Sequence, residues 1–161
     1  MNPQDQRNDR GYGRGGYGRD NQNRQTPEEK AMNDAKTFFN SLTFKNSWIT
    51  NEIDKDFTIY AEKMGKFMAE KKLTNSKIRS IYGEMKRIQM GQFDKEKASF
   101  YLLRPKVAYA LGRDKTNTGL CAFKLLFDRC SDMVADSKTF LNFALMFEAV
   151  LAYHKSYGGK D

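Results

Sequence analysis

The sequence predicts an all-α protein: a compact bundle of about five helices, preceded by an extra N-terminal helix and a disordered Arg/Gly-rich tail. Three observations carry that reading. Apolar residues recur at three- and four-residue spacing in segment after segment, most of them opened by a capping residue. No segment shows sustained strand alternation with hairpin signals. Composition changes abruptly near Thr26, dividing a polar leader from a patterned body.

The leader, residues 1–25, runs Arg10-Gly-Tyr-Gly-Arg-Gly-Gly-Tyr-Gly-Arg19 within Asn, Gln and Asp, with no Lys before Lys30. So few aliphatic side chains cannot offset the entropy of ordering, so disorder is expected. Arg10, Arg14 and Arg19 can pair with phosphates or stack on bases, and the tyrosines offer flat faces. An accessory RNA-binding tail and a solubilising leader fit equally.

The body, residues 26–161, reads as one helical domain. Thr26-Pro27-Glu28-Glu29 is a capping-box start with Pro at the first helical position, leading a helix to about Ser41. Thr50 can cap the next, which carries Ile53, Phe57, Tyr60, Ala61, Met64 and Met68. Thr74 heads a third with Ile78, Ile81, Tyr82, Met85 and Ile88. Asp94 opens a fourth with Phe100, Leu103, Val107 and Leu111, which Pro105 should break or kink. A fifth spans about Thr118 to Val134. The last starts at Asp136 and ends near Ser156, where Gly158-Gly159 is a stop. Between Leu141 and Ala152 its only ionisable residue is Glu148, so it is either the central helix of the bundle or one shared with a neighbouring subunit.

Twenty-eight Lys and Arg against 20 Asp and Glu give a net charge of +8, which favours a polyanionic partner, nucleic acid first. No apolar run is long enough to span a bilayer and no secretory h-region opens the chain, so a cytoplasmic protein without a membrane partner is expected. Cys121 and Cys130, nine positions apart in one helix, are too far apart along its axis for a disulfide and read as buried thiols.

Two helices carry basic stripes. At 100° per residue, Arg79, Gly83, Lys86 and Met90 share a strip at the edge of the Thr74 helix, with Arg87 a little further round. Gly83 costs about 1 kcal/mol in a helix interior; it serves close approach of a ligand backbone or of another helix. Beyond Pro105, Lys106, Tyr109 and Arg113 stand at i, i+3 and i+7, a basic–aromatic–basic surface for phosphates with a sugar or base between. Arg104 lies across that helix. A solvated charged face is the plainer reading of both stripes.

The same segments carry a family likeness. Leu73-Thr-Asn-Ser-Lys-Ile-Arg-Ser-Ile-Tyr-Gly-Glu-Met-Lys-Arg-Ile88, Leu103-Arg-Pro-Lys-Val-Ala-Tyr-Ala-Leu-Gly-Arg113 and Phe147-Glu-Ala-Val-Leu-Ala-Tyr-His-Lys155 resemble, in order and spacing, three motifs of the small subunit of type III-A (Csm-type) CRISPR effector complexes. The likeness covers about Trp48 to Tyr157. It implies a helical bundle whose copies stack along the complex beside its backbone and large subunits. It also implies contact with the guide RNA–target RNA duplex through backbone electrostatics, and no catalysis by the subunit itself. By motif position the contacts fall on Arg79, Lys86, Arg87, Arg104, Lys106 and Arg113. The Arg/Gly/Tyr tail is no part of that pattern, and Arg104 stands where Lys is common.

The residues give no footing for catalysis. His154, the only histidine, sits near the end of the last helix, where a positive charge suits the dipole. There is no second His for an acid–base pair, no His/Cys metal set and no phosphate-binding Gly loop with its lysine, so neither metal nor cofactor is expected. Asp132 and Asp136 read as caps. Two further functions fit the residues alone: a purely protein-binding helical adaptor, and an RNA chaperone driven by the tail. The apolar last helix makes dimerisation a further expectation.

Overall fold

The computed structural model describes residues 24–161, and these form eight helices with no strand among them. They are α1 (Pro27–Ser41), α2 (Ser47–Thr50), α3 (Lys55–Glu70), α4 (Asn75–Met90), α5 (Phe93–Tyr101), α6 (Leu103–Arg113), α7 (Thr118–Ser131) and α8 (Ser137–Ser156). The Arg10, Arg14 and Arg19 tail lies outside the described residues.

Helix ends follow local chemistry. Thr26 and Glu29 close a reciprocal capping box on α1, with Pro27 in the first turn where no N–H is needed. Asp136 and Thr139 close another on α8, and Asn117 caps α7. α8 ends in a Schellman turn: Gly158 at φ +83° donates to Lys155 O, and Gly159 donates to His154 O.

Three expected boundaries move. Asp54, not Thr50, caps α3, accepting from Phe57 N at 3.1 Å and from Trp48 Nε1 at 2.8 Å. Thr50 ends the single turn α2, where its hydroxyl donates to Asn46 O, and Ile53 falls outside α3 and is exposed. The segment read as one Pro105-kinked helix is two, α5 and α6, parted at Leu102. Pro105 occupies the first turn of α6, where its missing N–H breaks no bond. Thr74 precedes α4 but makes no side-chain cap; its hydroxyl pairs with Ser76 Oγ at 2.9 Å. The first amide of α4, Asn75 N, donates instead to Lys160 O at 2.9 Å.

α8 is the central helix of the fold. Phe140, Phe143 and Phe147 lie along it and meet Phe93 and Phe100 of α5 and Phe123 and Phe127 of α7 at centroid distances of 5.0 to 5.6 Å. Against α3 the approach is closer still. Gly65 is buried there, and a Cβ on it would stand 2.5 Å from Val150 O. A second aromatic group, Phe44, Trp48, Phe57 and Tyr60, closes the α2–α3 end, with the Arg129 guanidinium 4.4 Å from the Phe44 centroid. Cys121 and Cys130 are buried free thiols, and burial raises both pKa values.

Candidate nucleic-acid interface

α4 is amphipathic. Ile78, Ile81, Met85 and Ile88 are buried, and Arg79, Ser80, Gly83, Arg87 and Met90 form its outer ridge. One flank of α4 faces α6 and α5, the other faces α8, and the predicted cations divide between these flanks.

On the α6 side the two helices enclose a groove of about 730 Å³, lined by Ser76, Lys77 and Ser80 from α4 and by Pro105, Lys106, Tyr109, Ala110 and Arg113 from α6. α6 buries Leu103, Val107 and Leu111, which turns Lys106, Tyr109 and Arg113 outward together as the spacing predicts. Tyr109 is 68% exposed, with the Arg113 guanidinium 5.9 Å from its ring centroid. Lys77 is tied to Asp114 at 2.5 Å. Among the described residues, neither Lys106 nor Arg113 has a carboxylate within 4.0 Å.

On the α8 side Arg79 and Tyr82 border a smaller cleft with Glu148, Leu151 and Asp161. Lys86 leans into this side, pairs with Glu148 and lies 5.6 Å from the Tyr82 centroid. Glu148, the one ionisable residue in the apolar stretch of α8, is thereby matched. Hydrogen bonds from Asn75 and then Lys155 hold the Asp161 carboxyl below the usual range, and Arg79 adds a small pull. Arg79 itself makes no ion pair with the described residues.

The other two cations are engaged elsewhere. Arg87 bridges Glu84 at 2.7 Å and Glu96 at 2.9 Å, raising its own pKa and holding both carboxyls low. Arg104 turns away from the groove to Ser131 and Asp132 at the end of α7, and the Asp132 hydrogen bond raises its pKa. Three of the six basic candidates are thus partnered within the fold, and three, Arg79, Lys106 and Arg113, have no carboxylate partner among the described residues.

A Cβ placed on Gly83 meets nothing within 4 Å, so no helix among the described residues packs on it, and the ridge is open to a ligand backbone or to a helix of another chain. Sequence reasoning missed Lys77, Ser76 and Ser80 as groove residues. The only local signal was their position on the α4 flank opposite Arg79, and the pairing of Lys77 with Asp114 spans 37 positions.

His154 has a different role from the dipole-facing charge expected of it. It is fully buried, and Nε2 stands 2.7 Å from Leu73 O. A carbonyl only accepts, so Nε2 carries the proton and the ring pins the α3–α4 connection to α8. Nδ1 is buried without a partner among the described residues. Among the described residues no group of three His, Cys, Asp or Glu is placed to hold a metal ion, and no helix is long and apolar enough to cross a membrane.

A family model described as Csm2 Type III-A matches residues 51–160, from just before α3 to beyond α8. The chain belongs to the Csm2 Type III-A family. It is therefore a small subunit of a type III-A CRISPR effector complex, assembling with the other subunits of that complex. The match takes in both helices of the groove, while α1 and α2 of this Csm2-family chain precede it. No curated protein and no solved structure matches the chain.

Proposed function

We propose that this Csm2-family subunit is a non-catalytic RNA-binding component of its effector complex. In this reading copies stack along the complex and grip the backbone of the guide RNA–target RNA duplex through the outer faces of α4 and α6. The observation that carries the proposal is that Lys106, Arg113 and Arg79, exposed on α6 and α4 of a chain of net charge +8, have no carboxylate partner among the described residues. A cation without an internal carboxylate is free to take a phosphate and release its counterion.

Lys86, Arg87 and Arg104 contribute by exchanging a carboxylate for a phosphate. The Arg104 pair is exposed and those of Lys86 and Arg87 are half-buried at the surface, where ion pairs are worth only about 0–1 kcal/mol, so the exchange costs little. Arg87 and Arg104 hold their carboxylates through guanidinium hydrogen bonds that a phosphate can also accept. The Arg10, Arg14 and Arg19 tail adds sequence-independent contact.

The test is target-RNA affinity of the assembled complex carrying Lys106→Glu with Arg113→Glu. Affinity should fall, and the log–log salt slope should shrink by about 1.8, at ~0.9 per duplex phosphate lost. Unchanged affinity and slope would sink the assignment of these residues. Binding that survives both substitutions and high salt would favour a protein-binding adaptor.

A further inference from the structure

We propose that the groove between α4 and α6 seats one unpaired nucleotide of an RNA strand, its base against Tyr109 and its phosphate between Lys106 and Arg113. The proposal rests on the RNA reading above and goes further. A duplex stacks its bases on one another and shows a helix face chiefly its phosphates and sugars, whereas an unpaired base stacks on aromatic side chains.

The groove offers what an unpaired nucleotide needs. Its volume, about 730 Å³, lies within the ~300–1,000 Å³ of clefts that hold small ligands. Leu102, Pro105 and Ala110 give it an apolar lining on the α6 side. Tyr109 stands on the same helix with most of its surface in water, although Phe93, Phe100, Phe123 and Phe127 are all buried. A large aromatic left exposed beside an apolar lining is a stacking platform for any base.

The charges are arranged to match. Lys106 and Arg113 flank Tyr109 at i−3 and i+4 on one stripe, both without carboxylates among the described residues. On the opposite wall Lys77 is neutralised by Asp114, so the unpaired positive charge is concentrated around the ring. Ser76, Ser80 and Asp114 add hydroxyl and carboxylate oxygens within the same groove, partners for a base edge or a ribose hydroxyl.

The experiment uses the full chain with an unstructured RNA oligonucleotide bearing one fluorescent base analogue whose emission is quenched by stacking. The same strand annealed to its complement is the second probe. At low salt the wild type should bind the single strand and quench it several-fold. Tyr109→Phe should behave like wild type. Tyr109→Ala should lose the quenching and weaken single-strand binding about tenfold or more, while leaving duplex binding within about twofold, since base–aromatic stacking is a per-base term. Binding without quenching by wild type, or equal quenching by Tyr109→Ala, overturns the nucleotide seat and leaves the backbone grip standing. Failure of both probes to bind at low salt overturns the RNA reading itself and this proposal with it.

Discussion

Gly65 and Gly83 lie in helix interiors, yet the same substitution should move stability in opposite directions at the two. At Gly65 an added Cβ would stand 2.5 Å from Val150 O and 2.7 Å from His154 N, both backbone atoms that cannot swing aside. Gly65→Ala should therefore cost about 1–3 kcal/mol in urea unfolding, the usual range for overpacking. At Gly83 nothing among the described residues lies within 4 Å of an added Cβ, so Gly83→Ala should stabilise by roughly 0.5–1 kcal/mol through helix propensity alone. If a phosphate backbone lies on that ridge, the same substitution weakens RNA binding while raising the melting temperature. Acid sensitivity is also decided residue by residue. Asp54 is held low first by the Lys45 hydrogen bond, Asp136 by the Thr139 amide, and Glu84 and Glu96 by Arg87. Their folded pKa values lie below the unfolded ones, about 3.9 for Asp and 4.3 for Glu. Their contribution is thus complete above those values and lost as pH falls through the folded pKa values. Urea midpoints measured from neutral pH downward should stay level to about pH 5 and then drop; a midpoint indifferent to acid would contradict these assignments.

At the scale of elements, the pattern of α4 and α6 was readable because each is a period of 3.6 with its apolar face toward the core. Arg79, Lys106, Tyr109 and Arg113 emerge on the outer faces where counting puts them. Ends were readable only where the signal was local. Thr26 and Asp136 each sit three residues before the side chain that completes the box, and both cap. Thr50 lost its role to Asp54 because an unforeseen single turn intervened, and its hydroxyl was spent inside that turn. The partners of the cations were illegible for another reason: Lys86 meets Glu148 and Arg104 meets Asp132 across long stretches of chain. No spacing rule brings such pairs together; only the packing of α4 on α8 and α6 on α7 does. These pairings make a further prediction about how mutants should be designed. Lys86→Glu would set a second carboxylate beside Glu148, so a loss of RNA binding there would mix misfolding with lost charge. Lys86→Gln should keep the melting temperature within a few degrees, since the pair is half-buried and still in touch with water, and read the charge alone.

Across the whole molecule, charge and core are set on different parts of one bundle. The aromatic interior around α8 supplies rigidity, and the cations stand on α4 and α6 at its margin, so charge substitutions there leave the core intact. Triple neutralisation of Arg79, Lys106 and Arg113 to Gln should consequently lower the salt dependence of RNA binding by about 2 in log–log slope, at ~0.7 per phosphate on a single strand. The circular dichroism of the variant should match wild type. The position of α8 also bears on biogenesis. Every helix it packs against, α2, α3, α4, α5 and α7, precedes it in the chain. A ribosome therefore releases those apolar faces before their common partner exists, and the nascent protein holds an open, sticky shell until its centre is delivered. Chains stalled before Ser137 should be chaperone clients or protease substrates, whereas a missense change on the outer ridge of α4 should leave synthesis undisturbed.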